Sequence, residues 1–248
     1  MSEKQYYIAA RDNLLSSLRE GRGTNPAPDD VTNLKVERML DVGCGIGQAL
    51  FQFAFRDGAL GVGVDPCVLG LSLGREFYAS YLPEAHVTFM RALAESLPFK
   101  SQSFDLVNCG LALPYMRNAS AIAEVARVLR PSGVFLLKVH HVRYYLDELR
   151  RGLTAGDFSS VIHSARVLIA GTLYHIARRQ PRLRLFNETY QTRWLLRREL
   201  TKHGMAIERE RTITNPLTPA FVIRKGQSAL AGSKLIHSHR NKTPPAME

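Results

Sequence analysis

The sequence predicts an α/β protein built on a doubly wound, mostly parallel sheet of seven strands, with helices on both faces and a helical insertion after the fifth strand. Three observations predict it. Apolar runs of strand length alternate with stretches of helix length between residues 38 and 139, the pattern of strands joined by crossover helices. The first such run, Arg38-Met39-Leu40-Asp41-Val42, leads into Gly43, Gly45 and Gly47 and then into Ala49, Leu50 and Phe51. Strand, glycine turn and helix together bring a ligand against bare backbone at a helix N-terminus. The second run, Gly61-Val62-Gly63-Val64, ends in Asp65 and Pro66. An acid about 20 residues after a glycine loop is placed to accept hydrogen bonds from a ribose.

Residues 2–20 read as a helix, with Ser2 and Gln5 at capping-box spacing and Tyr7, Leu14, Leu15 and Leu18 roughly on one face. Gly21 and Gly23 end it, and Thr24–Asp30 is a loop. Gln48–Arg56 is a short helix, residues 59–65 the second strand, and Val68–Tyr81 a helix ended by Pro83. His86–Met90 is the third strand and Ser103–Cys109 the fourth. Ala119–Leu129 is a helix, Pro131-Ser132-Gly133 a turn, and Val134–Val139 the fifth strand. Residues 141–188 form the insertion. Within it Phe158, Ile162, Ala165, Ile169, Leu173 and Ile176 recur at helical spacing, so 158–179 is a helix with one apolar face, weakened at Gly171. Thr189–His203 is a helix closed by Gly204, and Met205–Arg211 and Pro219–Arg224 are two closing strands. Residues 1–225 thus make one domain, and the polar stretch 226–248 is expected to be a disordered tail.

A chain of 248 residues, 45% hydrophobic and 22% charged, has the size and composition for one cored domain with a modest addition. The charged N-terminus and the absence of any uncharged apolar run of about 18 residues give no expectation of a signal peptide or a membrane span. Cys44, Cys67 and Cys109 lack paired metal-ligand spacing, so no metal site is expected, and their number suits a reducing cytoplasm. The charge is divided unevenly. Residues 1–142 hold 14 basic and 14 acidic side chains; residues 143–248 hold 19 and 8, and so carry the whole net +11. That asymmetry bears on a partner or substrate rather than on whatever the glycine loop holds.

Two ligands suit a glycine loop followed by a ribose-binding acid. A dinucleotide fingerprint places its third glycine one residue later, where this chain has Gln48. A ligand without phosphate needs no anion nest but does need a carboxylate near its ammonium group, and Asp41 suits that. The ligand with an ammonium, a carboxylate and a ribose is S-adenosylmethionine. On these residues the chain resembles the class I S-adenosylmethionine-dependent methyltransferases, whose sheet is Rossmann-like. The resemblance covers most of residues 38–140. Ala94-Glu95-Ser96-Leu97-Pro98-Phe99 with Ser103-Phe104-Asp105 is similar to the family's loop after strand three and its lead into strand four. Residues 124–133, from Glu124 to Pro131-Ser132-Gly133, are similar to its helix and turn before strand five. These matches point to the type 11 branch, which modifies small molecules, quinones and lipids.

The resemblance implies cofactor contacts from Asp41, Gly43, Cys44, Gly45 and Gly47 in the first loop. It implies further contacts from Asp65 and Pro66 after strand two, from Ala94 and Glu95 after strand three, and from Cys109 at the end of strand four. Cys44 and Cys109 also suit plain small-residue packing. A helix ahead of the first strand often closes over the cofactor in this family, which draws attention to Tyr6 and Tyr7; amphipathic core packing is the competing account. One position departs from the family. An Asp that bonds the adenine amino group usually precedes the Ala, and Leu93 stands here. The Ala94 N–H remains for an adenine ring nitrogen, and Glu95 is the candidate replacement. Leu113-Pro114-Tyr115 is similar to the Asn-Pro-Pro-Tyr motif of adenine-amino methyltransferases, but Ala112 and Leu113 occupy the place of its Asn. This loop is therefore expected to shape the substrate side, with Tyr115 lining it.

A sulfonium already activates its methyl group, so the protein chiefly has to align the reactants. A base is required where the acceptor arrives protonated. His140 and His141 end strand five, at the edge where open α/β sheets bind ligands, and are the catalytic candidates. Solvated strand-end histidines are the competing account. Tyr144 and Tyr145 follow and suit stacking on an acceptor. The expected function is methyl transfer to a small-molecule or lipid-like acceptor. An RNA methyltransferase is the rival suggested by the basic half, but no RNA-binding motif or aromatic-interleaved basic stripe supports a nucleic-acid partner. A cofactor-binding scaffold without catalysis is the other rival, resting on Leu93 and the lack of an assured base. The 158–179 helix either packs its apolar face on the domain or caps the transferable methyl with a greasy acceptor pocket. In the second account segment 157–184 rests Arg178, Arg179, Arg182 and Arg184 on anionic lipid, making a cytoplasmic protein peripheral to the inner face of the membrane.

Overall fold

The computed structural model describes residues 3–20, 34–53, 59–181, 188–211 and 215–227. Along the chain run α1 (Glu3–Arg19), β1 (Arg38–Val42), α2 (Gln48–Phe53), β2 (Leu60–Asp65), α3 (Val68–Tyr81), β3 (Val87–Arg91) and β4 (Phe104–Gly110). A 3-10 turn at Leu113–Tyr115 leads to α4 (Asn118–Val128) and β5 (Leu129–Lys138). Then come α5 (Val142–Ala155), α6 (Phe158–Ala177), α7 (Arg193–Thr201), β6 (Met205–Glu210) and β7 (Ala220–Lys225). All seven expected strands are present, and they form a single sheet in the order β3-β2-β1-β4-β5-β7-β6. The first five pair in parallel; β7 runs antiparallel to both β5 and β6.

The apolar runs become central strands because they are covered on both faces. β1 and β2 are buried almost end to end, as strands of a two-sided parallel sheet must be. One face packs Ile122, Val125, Leu196 and Leu200, from α4 and α7, against Leu40, Val107 and Phe135. The other packs Tyr7, Leu14, Leu71 and Phe77, from α1 and α3, against Met39, Leu106 and Leu136. The order reverses between β1 and β4, so their C-terminal ends form the switch point where open α/β sheets hold ligands.

Three expectations change. The Pro131–Gly133 turn lies inside β5 as a bulge. Pairing with β4 jumps from Phe104–Leu129 to Leu106–Val134, and Ser132 has φ +62°. The bulge is tied from both sides: Arg224 donates to the Ser132 carbonyl, and Lys225 Nζ donates to the carbonyls of Ala126 and Leu129. The helix expected over Thr189–His203 begins only at Arg193. Residues 189–191 are instead held extended, Thr189 N–H bonding the Pro114 carbonyl and Gln191 N–H the His140 carbonyl. The Thr192 side chain then caps α7. The expected loop at Thr24–Asp30 and most of the expected tail, residues 228–248, lie outside the described residues.

The insertion adds a further helix, α5, ahead of the one expected over 158–179. His141 caps α5 by accepting from Arg143 N–H, and Asp157 caps α6 by accepting from Ser159 and Ser160 N–H. α6 has the expected apolar stripe, but the stripe does not pack on the domain. Phe158, Ile162, Ile169, Leu173 and Ile176 are 45–75% exposed. The buried face carries Ser164, Val167, Ala170, Gly171 and Tyr174. Small side chains stand at Ser164 and Gly171 because α5 and Tyr190 approach closely there. Ser164 donates to Glu148 of α5, and the Tyr190 ring lies only 2.3 Å from where a Cβ on Gly171 would sit.

Gly171→Ala sets two effects against each other. Alanine adds about 1 kcal/mol of helix propensity. Overpacking against Tyr190 costs about 1–3 kcal/mol. The ring is held between α6 and the extended segment, so the clash is expected to win, lowering the midpoint of thermal unfolding by about 2–6 °C. Calorimetry on the two proteins checks the sign.

Candidate functional site

A cleft of ≈ 1530 Å³ lies along the C-terminal ends of β1, β2 and β4 and extends to the end of β5. That volume exceeds the roughly 300–1,000 Å³ of an ordinary ligand pocket, so it accommodates two ligands side by side. Its floor begins with the loop after β1. Gly43, Gly45 and Gly47 all have positive φ, at +72°, +55° and +88°. The reasons for glycine differ. A Cβ on Gly43 would come within 2.3 Å of the Ala112 Cβ, and one on Gly47 within 2.8 Å of the Phe89 ring. At Gly45 the nearest atoms, on Gln48 and Tyr7, would be 3.4 Å away, so there the constraint is backbone conformation.

The loop is stitched to the end of β2. Gly43 and Cys44 N–H both donate to the Val64 carbonyl, at 2.8 and 3.1 Å. Gly45 N–H donates to Asp65 Oδ2 at 3.0 Å, and Cys67 N–H to Oδ1 at 2.8 Å. Each carboxylate oxygen of Asp65 therefore makes one backbone bond and keeps acceptor capacity toward the cleft that it lines. Asp41, at the end of β1, is 2% exposed. In the parallel register it faces Asn108 of β4, whose Nδ2 donates to Oδ1 at 2.7 Å. Burial pushes the Asp41 carboxyl up to about 7; the Asn108 amide opposes this, and the charge of Asp65 adds to it. A buried carboxylate with one amide partner fits a cation better than it fits water, and so suits the ammonium of S-adenosylmethionine.

The other expected cofactor positions divide. Pro66, Ala94 and Glu95 line the cleft. Glu95 is already engaged, accepting the Arg117 N–H at the start of α4 at 2.7 Å. Leu93 projects at the rim, 58% exposed, on a tight turn closed by Ser96 N–H to the Leu93 carbonyl. Cys44 lines the cleft but packs on Gly63, and burial raises its thiol pKa. Cys109 faces the core, not the cleft, because its neighbours Asn108 and Gly110 take the ligand side of β4. Burial pushes its thiol up to about 12. Tyr7 of α1 walls the cleft opposite the loop and packs on Gly70, while Tyr6 stands half exposed.

His140, Tyr144 and Tyr115 line the far end of the cleft with Lys138. The His140 ring stacks on Tyr144, centroids 4.3 Å apart and planes at 12°. Burial lowers the His140 pKa, Glu148 opposing and Lys138 reinforcing the shift. The other candidate, His141, lies outside the cleft lining and spends Nδ1 on the α5 cap. Tyr145 is also not where stacking on an acceptor requires. It is fully buried behind His140, bonded to His140 and Glu188. Successive residues on a helix point about 100° apart, so Tyr144 and Tyr145 cannot both face the cleft. Nor does α6 form an acceptor pocket, since none of its residues lines the cleft. Sequence reasoning missed Asn108 and Glu188. The pairing of β1 with β4 gives the signal for Asn108, and none in the sequence distinguishes Glu188.

Residues 40–137 match the family model described as a methyltransferase domain. An uncharacterized methyltransferase of Synechocystis sp. is 39% identical over 104 residues, 41% of this chain and 46% of that protein. A fatty-acid O-methyltransferase of Mycolicibacterium smegmatis is 36% identical over 120 residues, 47% of this chain and 42% of that protein. The chain thus spans less than half the length of these curated relatives. The structure of an S-adenosylmethionine-dependent methyltransferase from Methanosarcina mazei shares the fold, with a TM-score of 0.59 at 20% identity over 82% of this chain and 100% of that one.

Two measurements test the cofactor end. Asp65→Ala is expected to cost about 1.5–3 kcal/mol of S-adenosylmethionine binding, the scale of a hydrogen bond to a charged group; unchanged affinity in the folded variant would remove its assigned role. Asp41 gives a pH dependence. A bound ammonium favours ionised Asp41, so binding lowers a carboxyl pKa that starts at about 7. Affinity is then highest above that pH and falls on acidification by up to about tenfold per unit. Asp41→Asn should abolish the dependence, as read by calorimetry between neutral and mildly acid pH.

Proposed function

We propose that this chain, in which residues 40–137 are a class I methyltransferase domain of the type 11 branch, transfers a methyl group from S-adenosylmethionine to a small-molecule or lipid-like acceptor. The observation that carries the reading is one cleft with two chemically distinct ends: the carboxylates Asp41 and Asp65 at one, and His140, Tyr144, Tyr115 and Lys138 at the other. When bound, S-adenosylmethionine supplies a methyl group already activated by its sulfonium. Asp41 would hold the ammonium, Asp65 the ribose hydroxyls and the Ala94 N–H the adenine edge, with Leu93 offering an apolar contact at the position of the usual acid. Holding both reactants in one cleft replaces a bimolecular encounter by an oriented one, an effect worth up to roughly 7–11 kcal/mol.

On the acceptor side Tyr115 and Tyr144 offer flat surfaces, and His140 takes a proton from the acceptor atom. Lys138 places positive charge where an acceptor oxygen loses its proton. A phenol or enol is the chemistry that uses all of these groups. The relative named as a fatty-acid O-methyltransferase supports a lipid-like class.

The exposed stripe of α6 extends this reading to where the acceptor is met. No helix among the described residues is long and apolar enough to cross a membrane. A helix of 20 residues presents a stripe of only about 30 by 10 Å, well short of the roughly 800 Å² per partner of a stable protein interface. Arg166, Arg178 and Arg179 are exposed along and beyond it. An apolar strip with a basic border fits an anionic lipid surface, where each arginine adds about 1 kcal/mol.

Four outcomes are expected. Isotope-labelled S-adenosylmethionine added to a cell extract should transfer one methyl to a metabolite or lipid, detected by mass spectrometry; binding without transfer to any acceptor would leave only a cofactor-binding protein. On the acceptor found, His140→Ala should lower turnover by about 10²–10⁴ without changing cofactor affinity. The wild-type rate should rise with pH through an ionisation below the ordinary imidazole value, since burial lowers His140. In sedimentation with phosphatidylserine-containing vesicles, the protein should pellet at low salt, less so at high salt, and less after Ile162→Ser with Ile169→Ser or Arg178→Gln with Arg179→Gln. Wild-type protein left in the supernatant at low salt would end the membrane part of the reading.

A further inference from the structure

Behind the His140 ring a chain of side chains runs from the cleft to the surface. His140 Nδ1 lies 3.2 Å from the Tyr145 hydroxyl. That hydroxyl donates to Glu188 Oε1 at 2.5 Å. The other oxygen of Glu188 lies 3.4 Å from Nε2 of His163, a half-exposed side chain on α6. Tyr145 is fully buried, and the Glu188 side chain is 11% exposed. The elements are fixed independently: Tyr145 by α5 packing, and Glu188 by the extended segment whose next residues bond the Pro114 and His140 backbone.

We infer that Tyr145 and Glu188 are positioning residues that hold His140 in the tautomer with its proton on Nδ1 and its lone pair on Nε2, the form that accepts a proton from the methyl acceptor. The argument is a count of protons. Burial raises the Glu188 carboxyl, while the bonds from the Tyr145 and Tyr115 hydroxyls and the nearby His163 favour its ionised form. An ionised carboxylate only accepts, and a tyrosine hydroxyl has one proton to give. Glu188 takes that proton's bond, so the Tyr145 oxygen is left to accept, and Nδ1 of His140 must be the donor. Nε2 is then unprotonated. When Nε2 takes the acceptor's proton, the imidazolium keeps its Nδ1–H bond to Tyr145, and the Glu188 charge behind the tyrosine offsets the new positive charge. The proton on Nε2 returns to water through the open cleft. The group that contacts Nδ1 is thus a neutral hydroxyl, with the carboxylate one bond further back.

The inference rests on the reading of His140 as the base, and its test is separable from that reading because it needs neither cofactor nor acceptor. Histidine labelled with ¹⁵N in the full chain reports the tautomer and titration of each ring. In wild type the neutral His140 ring is expected to be predominantly protonated at Nδ1. Tyr145→Phe should remove that preference and leave a mixture weighted to the Nε2 proton. Glu188→Gln keeps an acceptor for Tyr145 but loses the charge, so the Nδ1 tautomer should survive while the titration midpoint falls by about half a unit. The groups facing His140 are Lys138 from β5, Tyr144, Tyr145 and Glu148 from α5, Tyr115 from the 3-10 turn, and Glu188 beyond α6. Only Glu188 is changed in that variant, so the shift is assignable. With an acceptor in hand, Tyr145→Phe should lower kcat about tenfold or more at unchanged KM. A wild-type ring protonated at Nε2 would mean that Glu188 is the proton donor and Tyr145 gives its proton to Nδ1, which overturns the inference even if His140→Ala is inactive. A tautomer preference unmoved by Tyr145→Phe would overturn it as well. A folded Tyr145→Phe with native chemical shifts outside the site excludes misfolding as the cause.

Discussion

The end of β2 grips the loop that follows β1. Two loop N–H groups share the Val64 carbonyl, and a third bonds the Asp65 carboxylate. These bonds fold the chain back within a few residues, which requires positive φ at Gly43, Gly45 and Gly47. They also bring Ala112 and Phe89 so close that two of those glycines tolerate no side chain. Much of the site follows. The loop leaves the Asp41 carboxylate open to the cleft and starts α2 beneath it. Asp65 organises the loop with both oxygens while lining the cleft. Such a net bond contributes only about 1 kcal/mol each, but without it the loop's backbone polar groups would be buried unpaired, which costs more.

The two carboxylates show how neighbouring acids are given different work. Asp65 meets backbone N–H groups on both oxygens. Asp41 meets one amide and otherwise apolar strand ends, so burial dominates and its pKa rises. The first is a fixed acceptor. At the second, a cation would relieve the desolvation penalty and couple the charge state to binding.

The His140 end of the cleft is assembled from elements far apart in sequence. β5 delivers His140, α5 delivers Tyr144 and Tyr145, and the segment after α6 delivers Glu188. The insertion is therefore a scaffold for the histidine as much as a surface of its own. Its α5–α6 pair buries Tyr145 and Tyr174 beside small residues such as Gly152, Ser164 and Gly171, and leaves the aliphatic stripe of α6 outward.

By itself the sequence determined the seven strands, most helices within a residue or two, the glycine loop and the two strand-end acids that line the cleft. These are legible because backbone requirements are local: a glycine at positive φ, a buried strand without polar interruptions, and an acid at a strand end each leave a mark within a few residues. It also fixed the periodicity of α6, but not which way that face points. Periodicity reports that a helix has two faces; which one is buried depends on the neighbour, and here Tyr190 and α5 demand small residues. The same limit separates His140 from His141 and Tyr144 from Tyr145. Each pair is chemically equivalent on paper, and the register at the end of β5 with the start of α5 sends one member to the cleft and the other to a cap or the interior. Asn108 and Glu188 were illegible for a related reason. Their meaning lies in partners 67 and 43 residues away, Asp41 and Tyr145, and only the packed sheet and the insertion folded on it bring those atoms within hydrogen-bonding distance.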